Sequence, residues 1–229
     1  PRLGHMTLRS APLELQQRAI ASAALLGERD VLRFAGHERN VDLRLRLDAL
    51  RGGRTEAQVD FGARQRIKRA VEQLQRQLGI QATEERANDA DIGRLLAFAY
   101  PDRIAQSRGE GGRYLLSNGR GAQLPPAQSL ARQEFLVVAD LDAGERDALI
   151  RLAAPLDRES LETDLAAAID TRERIEWSSR EQAVVAQREE WLGALQLSER
   201  RLERPDPARM TAALLGGIRE IGLERLPWG

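Results

Sequence analysis

Apolar residues recur every three or four positions through the first half of the chain, which predicts helices there. The predicted helices cover residues 13–32, 43–52, 63–79 and 91–100. Asp42 precedes the second of them, where its side chain can cap the first turn. The third has the clearest apolar stripe, and Gly79 lies where a helix stop belongs.

Beyond residue 109 the pattern changes to short apolar runs separated by turn residues, which is typical of strands. The predicted strands lie in residues 113–118, 134–141, 148–156, 174–177, 181–191 and 192–200. A helical segment, residues 157–169, is inserted among them. A last helix starts at Asp206 and Pro207, a favourable cap and first-turn pair. Five or six strands with one inserted helix suit a small closed barrel, so the predicted fold class is α+β.

Composition restricts the function classes. The 229 residues include no cysteine, which excludes disulfides, thiolate nucleophiles and sulfur-bound zinc. No apolar run approaches the roughly 18 residues of a membrane span, and no signal-peptide pattern is visible. We therefore expect a cytoplasmic protein with no membrane partner. Net charge is zero, but residues 1–108 hold 19 basic and 14 acidic side chains, so the basic excess lies in the first half.

The glycine-rich stretch 109–124 can be interpreted as a phosphate loop or as a hairpin turn. A phosphate loop of the G-x-x-x-x-G-K-[ST] type needs a lysine, and the sole lysine, Lys68, lies inside a predicted helix. Asn118 and Gly119 can instead supply the positive backbone angles of a two-residue hairpin. The hairpin interpretation is favoured. Function at this hairpin would depend on Arg113, Tyr114, Asn118 and Arg120, with Tyr114 placed to stack on a base.

Catalytic chemistry is not predicted for this chain. The Asp-Glu dipeptide of a DEAH-type metal box occurs nowhere in the sequence, so we expect no ATP hydrolysis, no metal site and no cofactor in this chain. His5 and His37 are too far apart for a zinc motif. The acid pairs Glu84–Glu85 and Glu189–Glu190 are more typical of solvated faces than of paired catalytic carboxylates.

Several segments resemble the bacterial HrpB family of DEAH-type ATP-dependent helicases. The longest is GRLLAFAYPDRIAQSRGEGGRYLLSNGRGAQL, residues 93–124. Further blocks lie at residues 135–142, 150–157, 180–202 and 222–228, and PRLGHM and LLGERDVL resemble the region that follows the motor in that family. The resemblance covers nearly the whole chain, and several of its blocks are ten or more residues long.

The resemblance implies a domain organisation. Residues 1–108 would be the helicase-associated helical bundle, residues 109–204 an oligonucleotide-binding (OB)-like barrel, and residues 205–229 a helical junction to a further domain. The motor domains, with their ATP and Mg²⁺, would precede Pro1. In that family these modules pack on the motor and help to enclose single-stranded nucleic acid. The choice between RNA and DNA and the oligomeric state stay open.

The residues themselves leave two functions open. Arg69 and Arg76 stand two turns apart on the predicted helix 63–79, opposite its apolar stripe, and can follow a phosphate backbone or form an ordinary solvated face. The first function is therefore an accessory nucleic-acid-binding segment. The second is a protein-interaction scaffold, motivated by near-neutral charge and by the apolar face of the last helix. Trp177 and Trp191 are expected in the core, and Trp228 at the junction.

Overall fold

The computed structural model describes residues 2–35, 39–80, 90–109, 111–142 and 147–222. The fold is α+β, as predicted. The chain divides into two compact units, which are Pro1–Ala166 and Ala167–Gly229. The first holds a helical layer and a closed barrel, and the second holds a three-stranded sheet and a helix. Of the helices in these residues, none is long and apolar enough to cross a membrane.

Five helices form the helical layer of the first unit. They are α1 (Arg2–Arg9), α2 (Gln16–Gly27), α3 (Leu43–Arg51), α4 (Phe61–Leu78) and α5 (Asp91–Ala99). Four of them confirm predicted helices, whereas α1 was not predicted. The caps act as expected, because Asp42 accepts a hydrogen bond from the Arg44 N–H and Gly79 closes α4 with a φ of +67°.

The helix predicted over residues 13–32 is too long at both ends. Residues 32–33 instead form a short strand, β1 (Leu32–Arg33), which pairs antiparallel with β2 (Gln58–Val59). The Asp30 carboxylate accepts a hydrogen bond from the Leu32 N–H at 3.0 Å. This side-chain turn competes with helical hydrogen bonding and turns the chain towards β1.

Five strands close the barrel, in the order β3-β4-β5-β7-β6. They are β3 (Ile104–Ser107), β4 (Arg113–Leu116), β5 (Gly121–Gln123), β6 (Phe135–Leu141) and β7 (Asp147–Leu156). The β5–β7 pair is parallel, and the other pairs are antiparallel. Alternate side chains point inwards and form an apolar core that includes Leu116, Leu136 and Ile150.

The predicted barrel membership is wrong for the strands that follow the inserted helix. The barrel is complete before α6 (Arg158–Asp164), because the unpredicted strand β3 supplies its fifth member. The later strands, β8 (Asp170–Ser178), β9 (Ala183–Leu192) and β10 (Leu195–Arg201), form a separate antiparallel sheet. The barrel therefore starts at residue 104, not 109, and ends at residue 156, not 204.

Helix α5 joins the helical layer to the barrel. Gly93 lies so close to β7 that an ideal Cβ there would be 1.9 Å from the Pro155 carbonyl oxygen. Beside this contact, the Arg94 guanidinium pairs with the Asp164 carboxylate at 2.7 Å. The absence of a side chain at Gly93 thus lets the helix pack directly on the strand.

The second unit packs α7 (Pro207–Ile221) on its own sheet. Gly217 lies against the half-buried Trp177, where an added Cβ would be 2.0 Å from the indole ring. Asp206 caps the helix through the Ala208 N–H, as the sequence indicates. Leu214 and Leu215 remain 45% and 48% exposed, so part of the apolar surface of α7 is uncovered within this unit.

Candidate nucleic-acid interface

Helix α4 presents a row of exposed cations. Ala63 and Ile67 are buried in its packing against α2, so the far side of the helix faces solvent. Arg69 and Arg76 lie exposed there and Lys68 lies exposed on the flank of the helix, and none of the three makes an ion pair with a residue that the structure describes. Seven residues of helix separate the two arginines by about 10 Å along the axis.

Two further cations of α4 have structural partners. The Arg64 Nε donates a hydrogen bond to the Leu50 carbonyl oxygen at 3.2 Å, which helps to satisfy the end of α3. Arg66 lies 3.6 Å from the Glu28 carboxylate. The basic face of α4 therefore consists of the cations that lack such partners, and these include both Arg69 and Arg76.

The β4–β5 connection is a hairpin, as the favoured interpretation required, but its turn is not the predicted one. Leu116 pairs with Arg120, which leaves a three-residue loop, Ser117 to Gly119. Gly119 has a φ of +86°, whereas Asn118 does not adopt a positive φ. A loop with one additional residue needs a left-handed conformation only at its last position. The Asn118 Oδ1 accepts a hydrogen bond from the Arg120 N–H and so supports the turn.

The hairpin does not bring its two arginines together. Arg113 is exposed on the outer side of β4, at its first residue and next to the buried Tyr114. Arg120 is exposed at the opposite end of the hairpin, directly after the turn. The register separates them by three residue pairs, or about 10 Å. Arg69 and Arg76 lie on a different element, α4, so the six predicted residues do not form one cluster.

Tyr114 cannot stack on a base, which corrects its predicted role. Only 1% of the side chain is exposed, and its hydroxyl lies 2.9 Å from both the Leu130 and the Gln133 carbonyl oxygens. Burial raises the pKa of Tyr114 to about 12. The alternation Tyr114–Leu116 along β4 was the available signal, because both side chains share the inward face.

We expect Tyr114→Phe to lower the free energy of unfolding by about 1–2 kcal/mol, because the Leu130 and Gln133 carbonyl oxygens lose the one hydroxyl donor that they share. Oligonucleotide affinity should not change. Denaturant unfolding and a binding titration measure the two quantities. Tyr100→Phe is the matched control, and it should alter stability by less than about 0.5 kcal/mol. Loss of affinity in Tyr114→Phe at unchanged stability would contradict the buried placement.

Known proteins resemble the chain in both sequence and fold. It is 33% identical over 181 residues to "ATP-dependent RNA helicase HrpB" of Escherichia coli (strain K12), an alignment that covers 78% of the chain and 22% of that protein. A crystal structure of E. coli DExH-box NTPase HrpB matches the whole chain with a TM-score of 0.71 and 30% identity. The chain is therefore homologous to a segment of the HrpB helicases.

A second crystal structure, of E. coli DEAH/RHA helicase HrpB, also matches the whole chain, with a TM-score of 0.70 and 26% identity. No protein-family model matches the chain. The chain spans 22% of the curated HrpB sequence and 26% of each of these structures. The activity of complete HrpB therefore belongs to a protein about four times as long as this chain.

The remaining candidate residues have structural roles. The His5 Nδ1 lies 2.9 Å from the Phe98 carbonyl oxygen and links α1 to α5. Glu189 is buried and accepts a hydrogen bond from the Trp191 Nε1, whereas Glu190 accepts one from the Ser198 hydroxyl. Neighbouring strand residues point to opposite faces, so these two glutamates do not act as a pair.

Four residues named from the sequence cannot be placed in the fold. His37, Glu84, Glu85 and Trp228 lie outside the described residues. Within the described ranges, no group of three or more His, Cys, Asp or Glu side chains is arranged to hold a metal ion.

Proposed function

We propose that the chain is an accessory segment of an ATP-dependent, DEAH-type helicase and that it binds and guides single-stranded nucleic acid. The observation that carries this proposal is the exposed cationic face of α4, formed by Lys68, Arg69 and Arg76. Unpaired surface cations attract phosphates and release counterions on binding. The homology to HrpB supports the helicase context.

The barrel supports the same proposal. Numbered from β3, its strands are ordered 1-2-3-5-4 and close on themselves, which we interpret as an OB-like barrel. Such barrels bind single strands through the face of their second and third strands. In this chain that pair is the β4–β5 hairpin, which carries Arg113 and Arg120. The hairpin and α4 would therefore each contact the strand.

The proposal assigns force generation to other parts of the helicase. Motor domains outside this chain would bind ATP and Mg²⁺, and this segment would pack against them in the cytoplasm. The curated relative is named an RNA helicase, so single-stranded RNA is the first substrate to test. DNA of the same length provides the comparison.

Binding of a fluorescein-labelled 20-mer of uridine should weaken steeply as salt rises. If Arg69, Arg76, Arg113 and Arg120 each engage one phosphate, the log–log salt slope should be about −3. The double substitution Arg69→Gln/Arg76→Gln should reduce its magnitude by about 1.4, because two contacts are lost. Fluorescence anisotropy at several salt concentrations measures the slope.

The control removes the same charge elsewhere. Arg180→Gln/Arg219→Gln takes two exposed cations from the second unit and should leave the slope unchanged. No binding by the wild-type chain at low salt, or binding that ignores salt, would refute the proposed function.

The alternative is a protein-interaction scaffold, which the exposed Leu214 and Leu215 of α7 favour. Binding of a protein partner that survives nuclease and high salt, and that Leu214→Glu/Leu215→Glu abolishes, would support this alternative.

A further inference from the structure

A cleft of about 840 Å³ opens in the first unit beside β1 and β2, the loop after α3 and the barrel loop after β5. None of the six residues predicted from the sequence lines it. Its walls include Arg33, Phe34, Arg54, Glu56, Gln58 and Gln128. The volume lies within the range of small-ligand sites and can hold one nucleotide.

Phe34 provides a fixed aromatic surface in this cleft. The Arg46 guanidinium lies 5.2 Å from the centre of its ring and covers one side. Arg46 itself is fully buried and donates hydrogen bonds to the Asp30 carboxylate and the Asp42 carbonyl oxygen. Arg46 therefore packs on one side of the half-buried Phe34 ring, and the ring lines the cleft. A planar apolar surface of this kind suits stacking with a nucleobase.

The cleft also has an available positive charge. Arg54 is exposed and has no ion pair or hydrogen bond with the residues that the structure describes. Arg33 is held by the Asp60 carboxylate at 2.6 Å, yet 63% of its side chain is exposed. Among the described lining residues Glu56 is the acid, and because Arg33 is already paired with Asp60, Arg54 supplies the available positive charge. An exposed guanidinium that has no ion pair with the described residues can bind a phosphate oxygen.

Polar contacts hold the barrel wall of the cleft in place. The Gln128 Oε1 accepts a hydrogen bond from the Val41 N–H at 3.0 Å, and its Nε2 donates to the Arg39 carbonyl oxygen. The exposed Gln58 lies in β2, in another part of the lining. Its amide can donate to and accept from a base edge. The cleft is thus preorganised at its barrel wall and offers a base-reading group at Gln58.

We infer that this cleft binds one nucleotide of the single strand, with the base on Phe34 and a phosphate at Arg54. The inference rests on the proposed function and adds a defined subsite to it. A stacked base contributes affinity that salt does not screen, whereas the α4 and hairpin arginines contribute affinity that salt does screen. The two contributions can therefore be separated by experiment.

The test titrates the 229-residue chain with the labelled uridine 20-mer at several salt concentrations. Phe34→Ala should weaken binding roughly 5- to 100-fold with an unchanged salt slope, because one stacked base is lost. Arg54→Gln should reduce the magnitude of the slope by about 0.7, because one phosphate contact is lost. Phe34→Trp retains a stacking surface and should restore affinity. A 20-mer containing 5-iodouridine should cross-link to Phe34 under ultraviolet light.

Two controls make the outcome decisive. Phe61→Ala removes another aromatic ring, 73% exposed and outside the cleft, and should leave affinity unchanged. Arg54 is exposed, so its variant should keep the wild-type melting temperature even if Phe34→Ala is less stable. Salt-dependent binding by wild type that Phe34→Ala and Arg54→Gln leave intact would overturn the cleft site and preserve the proposed function. Absence of wild-type binding would overturn both.

Discussion

Replacing Arg46 with methionine should lower the free energy of unfolding by about 3–5 kcal/mol. Its guanidinium is fully buried and donates to the Asp42 carbonyl oxygen at 2.9 Å and to the Asp30 carboxylate at 3.1 Å. It also donates to the Asn40 carbonyl oxygen. Methionine matches much of the length but supplies no donor, so the Asn40 and Asp42 carbonyl oxygens lose this buried donor, and Asp30 keeps Arg39 and the Leu32 N–H. Urea unfolding at neutral pH measures the change.

Acid should reproduce part of this loss in the wild type. Burial alone would raise the pKa of Asp30, but the Leu32 N–H and the Arg46 guanidinium outweigh it and lower the pKa below its ordinary value. A lowered carboxyl pKa contributes stability at neutral pH that disappears as pH falls through that pKa. The Arg46→Met variant should therefore lose less stability than wild type on acidification.

Arg39→Met is the control for Arg46→Met. Arg39 also binds Asp30, at 2.6 Å, but 47% of its side chain is exposed. Exposed pairs contribute about 0–1 kcal/mol, so this variant should remain close to wild type. Equal losses in the two variants would show that burial of Arg46 does not matter.

Replacing Gly93 with alanine should destabilise the first unit by about 3 kcal/mol, at the upper end of overpacking effects. The added methyl would lie 1.9 Å from the Pro155 carbonyl oxygen, far inside van der Waals contact. The obstacle is backbone and not a flexible side chain, so α5 must move away from β7. Thermal unfolding of the variant measures the loss.

Gly4→Ala provides the matched control, because Gly4 also lies within a helix but an added Cβ would meet nothing within 4 Å. Alanine is the better helix former, so this variant should be neutral or up to about 1 kcal/mol more stable. If Gly93→Ala behaved in the same way, α5 would not pack on β7 as closely as the structure shows.

Local signals predicted the helical elements well. Asp42 as a cap and Gly79 as a stop act within one turn of the chain, so their effects are visible in the sequence. Barrel membership depends on which strands meet in space, and the short strand β3 has no strong pattern of its own. The strands from residue 170 onwards have ordinary strand character, and only their pairing excludes them from the barrel.

The candidate site was partly predictable for the same reason. Arg69 and Arg76 follow from helical periodicity, because the face opposite a buried stripe must be exposed. Arg46 lies on the buried face of α3 with Leu43, Leu47 and Leu50, so its burial had a signal that arginine's polarity concealed. No signal in the sequence predicted the cleft around Phe34, because its walls come from segments up to 95 positions apart in the chain, from Arg33 to Gln128.

The double attachment of α5 has a mechanical consequence. Gly93 fixes the helix to β7, and a single turn of 3-10 helix, Pro101–Arg103, leads from α5 directly into β3. Helix α2 contacts both α4 and α5. Under the proposed function, a force applied to α4 would therefore reach the barrel through the packing of α2 and α5.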